Sequence, residues 1–196
     1  MPKRKPLHRE SVLDAALELL DRDGLQGLSM RKLATVLGVE AMSLYNHVDG
    51  KDALLDGIHE RILLSLEAAP GTRSWQAYVR HQAFALRRAL TAHPHAIPLF
   101  ATRPAATPAA IERLGQFLEV LDRAGFTPVQ ALSVVQLVAQ LVIGHAMWTN
   151  SVEITLFSVE PSPRAASVER ALEKWDADHE LAMGIDALLV GFAALL

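Results

Sequence analysis

Cysteine, strand-forming runs and a long uninterrupted hydrophobic segment are what this 196-residue sequence lacks. The absence of cysteine rules out disulfides and cysteine-ligated metal sites, and it suits a reducing cytoplasm. Ala and Leu dominate where a sheet would need β-branched runs, so we expect an all-α fold. The longest apolar segment, residues 132–147, is interrupted by polar side chains and predicts a buried helix rather than a membrane span.

Catalytic signatures are absent as well. The sequence contains no phosphate-binding Gly loop, no Gly-x-Ser-x-Gly turn and no His-Glu-x-x-His pair. His93 and His95 have no third ligand at a convincing spacing, so we expect neither a metal nor a cofactor. We therefore expect no enzymatic activity, with a helical enzyme or a structural helical bundle as the alternative interpretation.

Residues 28–51 carry the most informative pattern of the chain. Ser29 is a good helix N-cap, apolar residues follow at helical spacing, and Gly38 stands where a helix commonly closes. A second helix is predicted over 41–48, with Leu44 and Val48 facing inward. Its remaining side chains form an outward polar and aromatic set: Ala41, Met42, Ser43, Tyr45, Asn46 and His47. The spacing predicts a helix-turn-helix whose second helix enters the major groove of double-stranded DNA.

The charge distribution limits how such a chain would contact DNA. The net charge is −3, but residues 1–51 hold eight Lys and Arg against seven Asp and Glu. This balance argues against non-specific coating of nucleic acid and favours a localised contact surface. A basic arm, residues 1–9, either reaches the DNA backbone or minor groove or forms a solvated tail, and both interpretations stay open.

The remaining sequence predicts helices and a two-domain organisation. We expect a DNA-binding domain over residues 1–51, which also includes a first helix over 9–23 ended by Gly24. A helical ligand-binding and dimerisation domain is expected over 52–196, joined to the first by a helix over 51–68. In the last helix, small residues recur on one face, which indicates either a homodimer interface or close packing within one subunit. These small residues are Gly184, Ala187, Gly191 and Ala194.

Several stretches resemble a known family. The stretches that resemble the DNA-binding domain of TetR-family repressors are Leu13–Leu20, Gly24–Ser29, Arg31–Ala34, Leu44–Val48 and Lys51–Asp56. Those that resemble the ligand-binding domain of the tetracycline-repressor subgroup are Ser74–Gln76, Arg87–Leu90, Thr102–Pro104 and Ala124–Phe126. The resemblance implies a cytoplasmic homodimer that binds a palindromic operator and responds to a small-molecule effector. Most members repress and are released by ligand, although the sequence leaves activation open.

The resemblance also assigns roles in base reading. Arg31 matches the residue that contacts a guanine edge through its two-pronged guanidinium. Ala41, Met42 and Ser43 match the positions that face bases. Because Ala41 and Met42 have no side-chain amide to pair with adenine, we expect them to make apolar contact with a thymine methyl instead. Met42 replaces a small residue or proline of the family, and Asn46 replaces an aromatic residue. We therefore expect an operator that differs from the tetracycline operator.

Three further residues match positions that hold phosphates in the family. These are Tyr45, His47 and Lys51, and the ammonium of Lys51 beside the amides of a helix start suits a phosphate. The alternatives are half-buried packing for Tyr45 and a helix-end cap for His47.

The ligand-binding half departs from its relatives. Leu99 occupies the position of a magnesium-binding His, Trp148 that of an acidic residue, and Phe117 that of a drug-binding amide. Because these side chains offer no metal ligands, we predict no binding of the tetracycline–magnesium chelate. We expect instead an apolar or aromatic effector, although each apolar wall residue is also a candidate for plain core packing. The polar residues expected to orient it are Gln82, which replaces a family Asn, Arg103, Gln136 and Gln140.

Overall fold

The structure, a computed structural model, describes residues 7–69, 71, 74–151 and 163–196. Within these residues the regular elements are helical and no strand occurs, which confirms the predicted all-α class. The N-terminal helices are α1 (Arg9–Gly27), α2 (Met30–Leu37), α3 (Ala41–Leu44), α4 (Gly50–Ser65) and α5 (Trp75–Ala92). A 3-10 turn, Pro94–Ala96, leads to α6 (Ile97–Thr102), α7 (Pro108–Asp122), α8 (Pro128–Ser151), α9 (Pro163–Leu172) and α10 (Ala177–Ala193).

The first hydrophobic core lies among α1, α2, α3 and α4, which together we call the head. Its fully buried side chains include Leu20, Leu33, Leu44 and Ile58. This core continues past residue 51 into α4, and it also takes in Leu99 of α6. Helix α4 therefore belongs to the packing of the head as well as connecting it to the rest of the chain.

Local signals explain the helix-turn-helix. The Ser29 hydroxyl accepts a hydrogen bond from the Lys32 amide at 3.2 Å, which caps α2. Gly38 closes α2 in the left-handed conformation at φ 64° and ψ 35°, as predicted, and its amide donates back into the last turn. The glycine lets the chain reverse without a Cβ clash, so α3 follows directly and packs Leu44 into the core.

Two predicted helix ends differ from the structure. Gly24 does not end α1 but kinks it at φ 71°, after which the helix resumes to Gly27. Resuming the helix brings Leu25 and the fully buried Leu28 into the head core. The helix predicted over 41–48 is regular only to Leu44, because the chain turns before Gly50, where φ is 84°. Val48 is nevertheless buried, as predicted.

The second core, which we call the body, is built around α8. This helix packs against α5, α6, α7 and α10, and its buried positions include Val134, Val138 and Val142. Residues 128–150 are long and apolar enough to cross a membrane by length and composition, a test that core helices of soluble proteins also pass. Of this apolar window, 33% is buried within the chain, and the helix packs against its four partners on that side.

Candidate DNA-binding surface and effector site

Helix α2 orients the residue predicted to read a guanine. Leu33 and Ala34 are buried against the head core, whereas Arg31 at the start of the same helix is exposed. The turn after α2 packs α3 against it through Leu44. The two helices thus form a rigid pair, with Arg31 and the outward residues of α3 on its solvent side.

The outward residues of α3 and the following turn are accessible to a partner. Met42 is 73% exposed and Tyr45 is 47% exposed, although both carry large apolar surfaces. Asn46 is also exposed, whereas Ala41, Ser43 and His47 are half-buried. A row of exposed methionine, tyrosine and asparagine beside buried Leu44 and Val48 is what a recognition element presents to a groove.

The cations of the head divide into two groups. Lys32 lies 3.6 Å from the Asp23 carboxylate, and Arg22 and Arg9 also have carboxylate partners. Arg31 and Lys51 have none within 4.0 Å among the described residues of the chain. Both residues are exposed, and their charges are therefore unpaired within the described part of the chain.

The structure describes only residues 7–9 of the basic arm. Lys3, Arg4 and Lys5 lie outside the described residues. Arg9 begins α1, and its guanidinium donates to the Glu60 carboxylate at 3.0 Å. Burial alone would raise the pKa of Glu60, but hydrogen bonds from Thr107 and Arg9 outweigh it and lower that pKa. Arg9 thus ties α1 to α4.

The start of α4 lacks a side-chain cap, and of its amides that of Gly50 already donates to the Val48 carbonyl at 2.9 Å. Its N-cap residue, Asp49, makes no side-chain capping hydrogen bond, and the exposed Lys51 stands at the second helical position. The first amides of a helix and its dipole favour an anion, and the nearby ammonium adds to this attraction. This helix end suits a backbone phosphate.

A polar cluster joins α4, α5 and α7 in the body. Gln82, which is 7% exposed, donates to the Glu67 carbonyl at 3.3 Å and accepts from Arg113 at 3.1 Å. The same Nη2 of Arg113 donates to the Leu66 carbonyl at 3.2 Å. Gln82 was predicted as an effector contact, whereas Arg113 was not. Arg113 lies four residues before Phe117, so the two share one helix face, and this spacing could have identified Arg113 from the sequence.

Aromatic side chains adjoin this cluster. The rings of Tyr78 and Phe117 meet edge to face with centroids 5.0 Å apart. Burial raises the pKa of the Tyr78 hydroxyl, although the positive charges of Arg113 and Arg123 oppose the change. Gln82, Phe117, Tyr78 and Arg113 thus form a half-buried surface that is both aromatic and positively charged.

Leu99 and Arg103 lie elsewhere. Leu99 is 1% exposed and packs in the head core, not beside Gln82 and Phe117. Arg103 donates to the Asp56 carboxylate at 2.8 Å and to that of Asp52 at 3.2 Å, both on α4. The structure thus uses both residues to fasten the end of α6 to α4, the helix that joins head and body.

A buried histidine lies at the same contact between α4 and α6. His59 is 5% exposed, and its ring meets that of Phe100 edge to face with centroids 4.2 Å apart. Burial lowers the pKa of His59; the Asp56 carboxylate opposes this and the Arg103 guanidinium reinforces it. The imidazole is therefore neutral near pH 7, which its apolar neighbour favours.

Three predicted effector residues lie on the outer face of α8. Gln136 and Gln140 are exposed, and Trp148 is 57% exposed. They are not brought together with Gln82. A groove of about 350 Å³ between α5 and α10 contains none of the predicted effector residues. Among the described residues, no group of three or more His, Asp or Glu is placed to hold a metal ion.

Comparison with known families agrees with this division into head and body. The family described as bacterial regulatory proteins, tetR family, matches residues 12–58. The family described as tetracyclin repressor-like, C-terminal domain, matches residues 67–194. The class E tetracycline repressor protein of Escherichia coli is 32% identical, over 97% of this chain and 92% of its own. An HTH-type transcriptional regulator of Saccharopolyspora erythraea is 40% identical, over 72% of this chain and 61% of its own.

Solved structures show the same fold. The TetR-family protein ActR of Streptomyces coelicolor, without ligand, superposes with a TM-score of 0.84 at 26% identity, covering 97% of this chain and 96% of that one. The same protein in complex with (S)-DNPA has a TM-score of 0.82 at 25% identity, covering 97% and 98%. The described parts of this chain therefore share their architecture with a TetR-family protein that has been solved both without ligand and with (S)-DNPA. The chain belongs to the tetR family of bacterial regulatory proteins, with a C-terminal domain of the tetracycline-repressor type.

Proposed function

We propose that this protein is a ligand-responsive transcriptional repressor that binds a palindromic operator as a homodimer and is released by a small effector. The observation that carries the proposal is the solvent side of α2 and α3. Arg31 there has no carboxylate partner among the described residues, and Met42 and Tyr45 are largely exposed. Much of the surface of Met42 and Tyr45 is left uncovered by the head, and a DNA groove would bury it. Curated relatives are named repressors and transcriptional regulators, which supports the same function.

On DNA, we propose that Arg31 contacts a guanine edge and that Ala41, Met42 and Ser43 face bases, with Asn46 beside them. Tyr45, His47 and Lys51 hold phosphates. The absence of a side-chain cap at the start of α4 supports this role for Lys51, because the first amides of a helix would attract the same phosphate. Phosphate contacts fix the position of the head, and base contacts select the sequence.

Dimerisation is proposed through the exposed faces of α8 and α10. Apolar side chains stand in solvent on both helices, including Leu137 at 45% and Val190 at 75% exposure. Gly191 has open space where a Cβ would point, whereas a Cβ at Gly184 would meet Leu141 of α8 within the same subunit at 3.3 Å. Part of the small-residue face therefore packs internally, and the rest is free for a partner. Two heads are needed to reach half-sites about 34–36 Å apart.

The effector is proposed to bind in the body, near Gln82 and Phe117, and to act on the head through α4. The head core includes Leu54, Ile58 and Ile62 of α4, which supports a domain boundary near the end of this helix rather than at residue 51. An effector that binds more tightly to the released arrangement of α4 shifts the population away from DNA. We propose that the chain acts without a cofactor, in the cytoplasm.

The test combines DNA selection with a measurement of mass. A random pool of duplex oligonucleotides is passed over the immobilised protein at low salt, and light scattering during gel filtration gives the oligomeric state. We expect enrichment of a palindrome whose retention falls steeply with salt, and the mass of a dimer. Leu137→Glu should give monomers with weak retention, whereas Val168→Glu, an exposed change on α9, should not. A monomeric protein, or one that retains no oligonucleotide, contradicts the proposal.

A further inference from the structure

We propose that Arg113 is the anion-binding residue of the effector site, so that the effector is an aromatic molecule carrying an acidic group such as a carboxylate. This rests on the proposed function, because it assigns a chemical class to the effector of that site. Arg113 lies on α7 among the aromatic side chains of Tyr78 and Phe117, which provide the apolar surface that such a molecule needs.

The hydrogen-bond partners of Arg113 are neutral. Its Nη2 donates to the Leu66 carbonyl at 3.2 Å and to the amide oxygen of Gln82 at 3.1 Å. No carboxylate lies within 4.0 Å of it among the residues that the structure describes. A guanidinium whose partners are all neutral can still form a charge-assisted hydrogen bond with an anion, and a ligand carboxylate would supply that partner.

The surrounding charges favour an anion as well. Glu112 and Glu119, which flank Arg113 and Phe117 on α7, are exposed, and the Glu67 carboxylate is 73% exposed and pairs with Arg88 at 2.9 Å. Arg123 at the end of α7 adds a second positive charge felt at Tyr78. Both charges felt at Tyr78 are therefore positive, and an acidic effector would be attracted to this position more than its neutral analogue.

Binding of an anion at Arg113 would also act on α4. The Leu66 carbonyl is the C-cap of α4, and Arg113 and Gln82 together hold the carbonyls of Leu66 and Glu67. A carboxylate is a stronger acceptor than a carbonyl and competes for the same N–H group. An acidic effector would thus release the C-terminal end of α4 in the body. The N-terminal end of the same helix carries Lys51, which is proposed above to bind a DNA phosphate.

The experiment compares an acid with its amide. Isothermal titration measures the binding of 2-naphthoate and of 2-naphthamide, which share one ring system and differ in charge. The proteins are wild type, Arg113→Gln, Arg113→Lys and the control Arg170→Gln, an exposed change on α9. Circular dichroism melting verifies that each variant is folded.

We expect wild type and Arg170→Gln to bind the acid about tenfold more tightly than the amide. Arg113→Gln should lose this preference, and Arg113→Lys should keep part of it because the charge remains. Wild type that does not distinguish acid from amide, or a folded Arg113→Gln variant that still prefers the acid, overturns the proposal. Retention of operator DNA without ligand is measured on the same proteins. If the wild-type protein did not retain operator DNA, the proposed function would be overturned. If it retained the DNA normally but showed no preference for the acid, only the role of Arg113 would be overturned.

Discussion

The substitution Gly57→Ala tests the close contact between α1 and α4 that holds the head together. A Cβ at Gly57 would lie 2.5 Å from Cδ2 and 3.2 Å from Cδ1 of Leu13, which is itself 2% exposed. Inserting a methyl group into such a packed site costs about 1–3 kcal/mol. Alanine recovers about 1 kcal/mol of helix propensity. The net expectation is a loss of about 0–2 kcal/mol in the free energy of unfolding.

The sign should reverse when Leu13 is shortened. In a Leu13→Ala background both crowding carbons are gone, so Gly57→Ala should stabilise the protein by about 1 kcal/mol. The double-mutant cycle should therefore give a coupling energy of about 1–3 kcal/mol. Urea unfolding followed by circular dichroism measures all four proteins, provided that the transitions are two-state.

Gly115→Ala is the matched control. Gly115 lies inside α7, and a Cβ there meets nothing within 4 Å. It should stabilise the protein by about 1 kcal/mol in both backgrounds. If Gly57→Ala stabilises the wild-type protein as much as Gly115→Ala does, the inferred crowding between α1 and α4 does not exist.

Three further predictions concern binding, pH and capping. Arg31→Ala should cost about 1–3 kcal/mol of operator binding and relax base preference, whereas Lys51→Ala should weaken all sequences alike and lower the salt slope by about 1. Equal, sequence-independent losses in filter-binding titrations would refute base reading by Arg31. Because burial lowers the pKa of His59, the unfolded chain binds a proton that the folded one excludes, so stability should fall as the pH drops below the ordinary value of 6.5. His59→Leu should flatten that part of the pH profile in urea titrations, and an unchanged slope would contradict this cause. Ser29→Ala should cost about 1 kcal/mol of unfolding free energy through loss of the α2 cap, while a loss near zero would mean that the cap stabilises nothing.

Much of the DNA-binding half could be predicted because its signals are local. The cap at Ser29, the left-handed Gly38 and the inward Leu44 each act within a few residues, and the structure has all three as expected. The exposed positions of Met42 and Tyr45 follow from the same helical spacing. The roles of these residues on DNA stay predictions.

The effector half was harder to predict because its contacts join distant residues. Gln136 and Gln140 fit an orienting role by residue type, yet the packing of α8 leaves both on the outside. Leu99 and Arg103 were expected to line a cavity, but they fasten α6 to α4, with Arg103 and Asp56 47 positions apart in the chain. No spacing rule connects such positions.

Short-range order thus fixes the helices, their caps and the face that each helix buries, since these depend on rotamers, backbone conformation and apolar periodicity over one or two turns. Which faces meet depends on how whole helices stack. Arg113 reaches Leu66 and Gln82 across 47 and 31 positions of chain only because α7 packs beside α4 and its side chains contact those of α5. The stacking of the helices places the charge of Arg113 beside the aromatic pair and the end of α4. The free energy of burying apolar surface selects that stacking, and it depends on the chain as a whole.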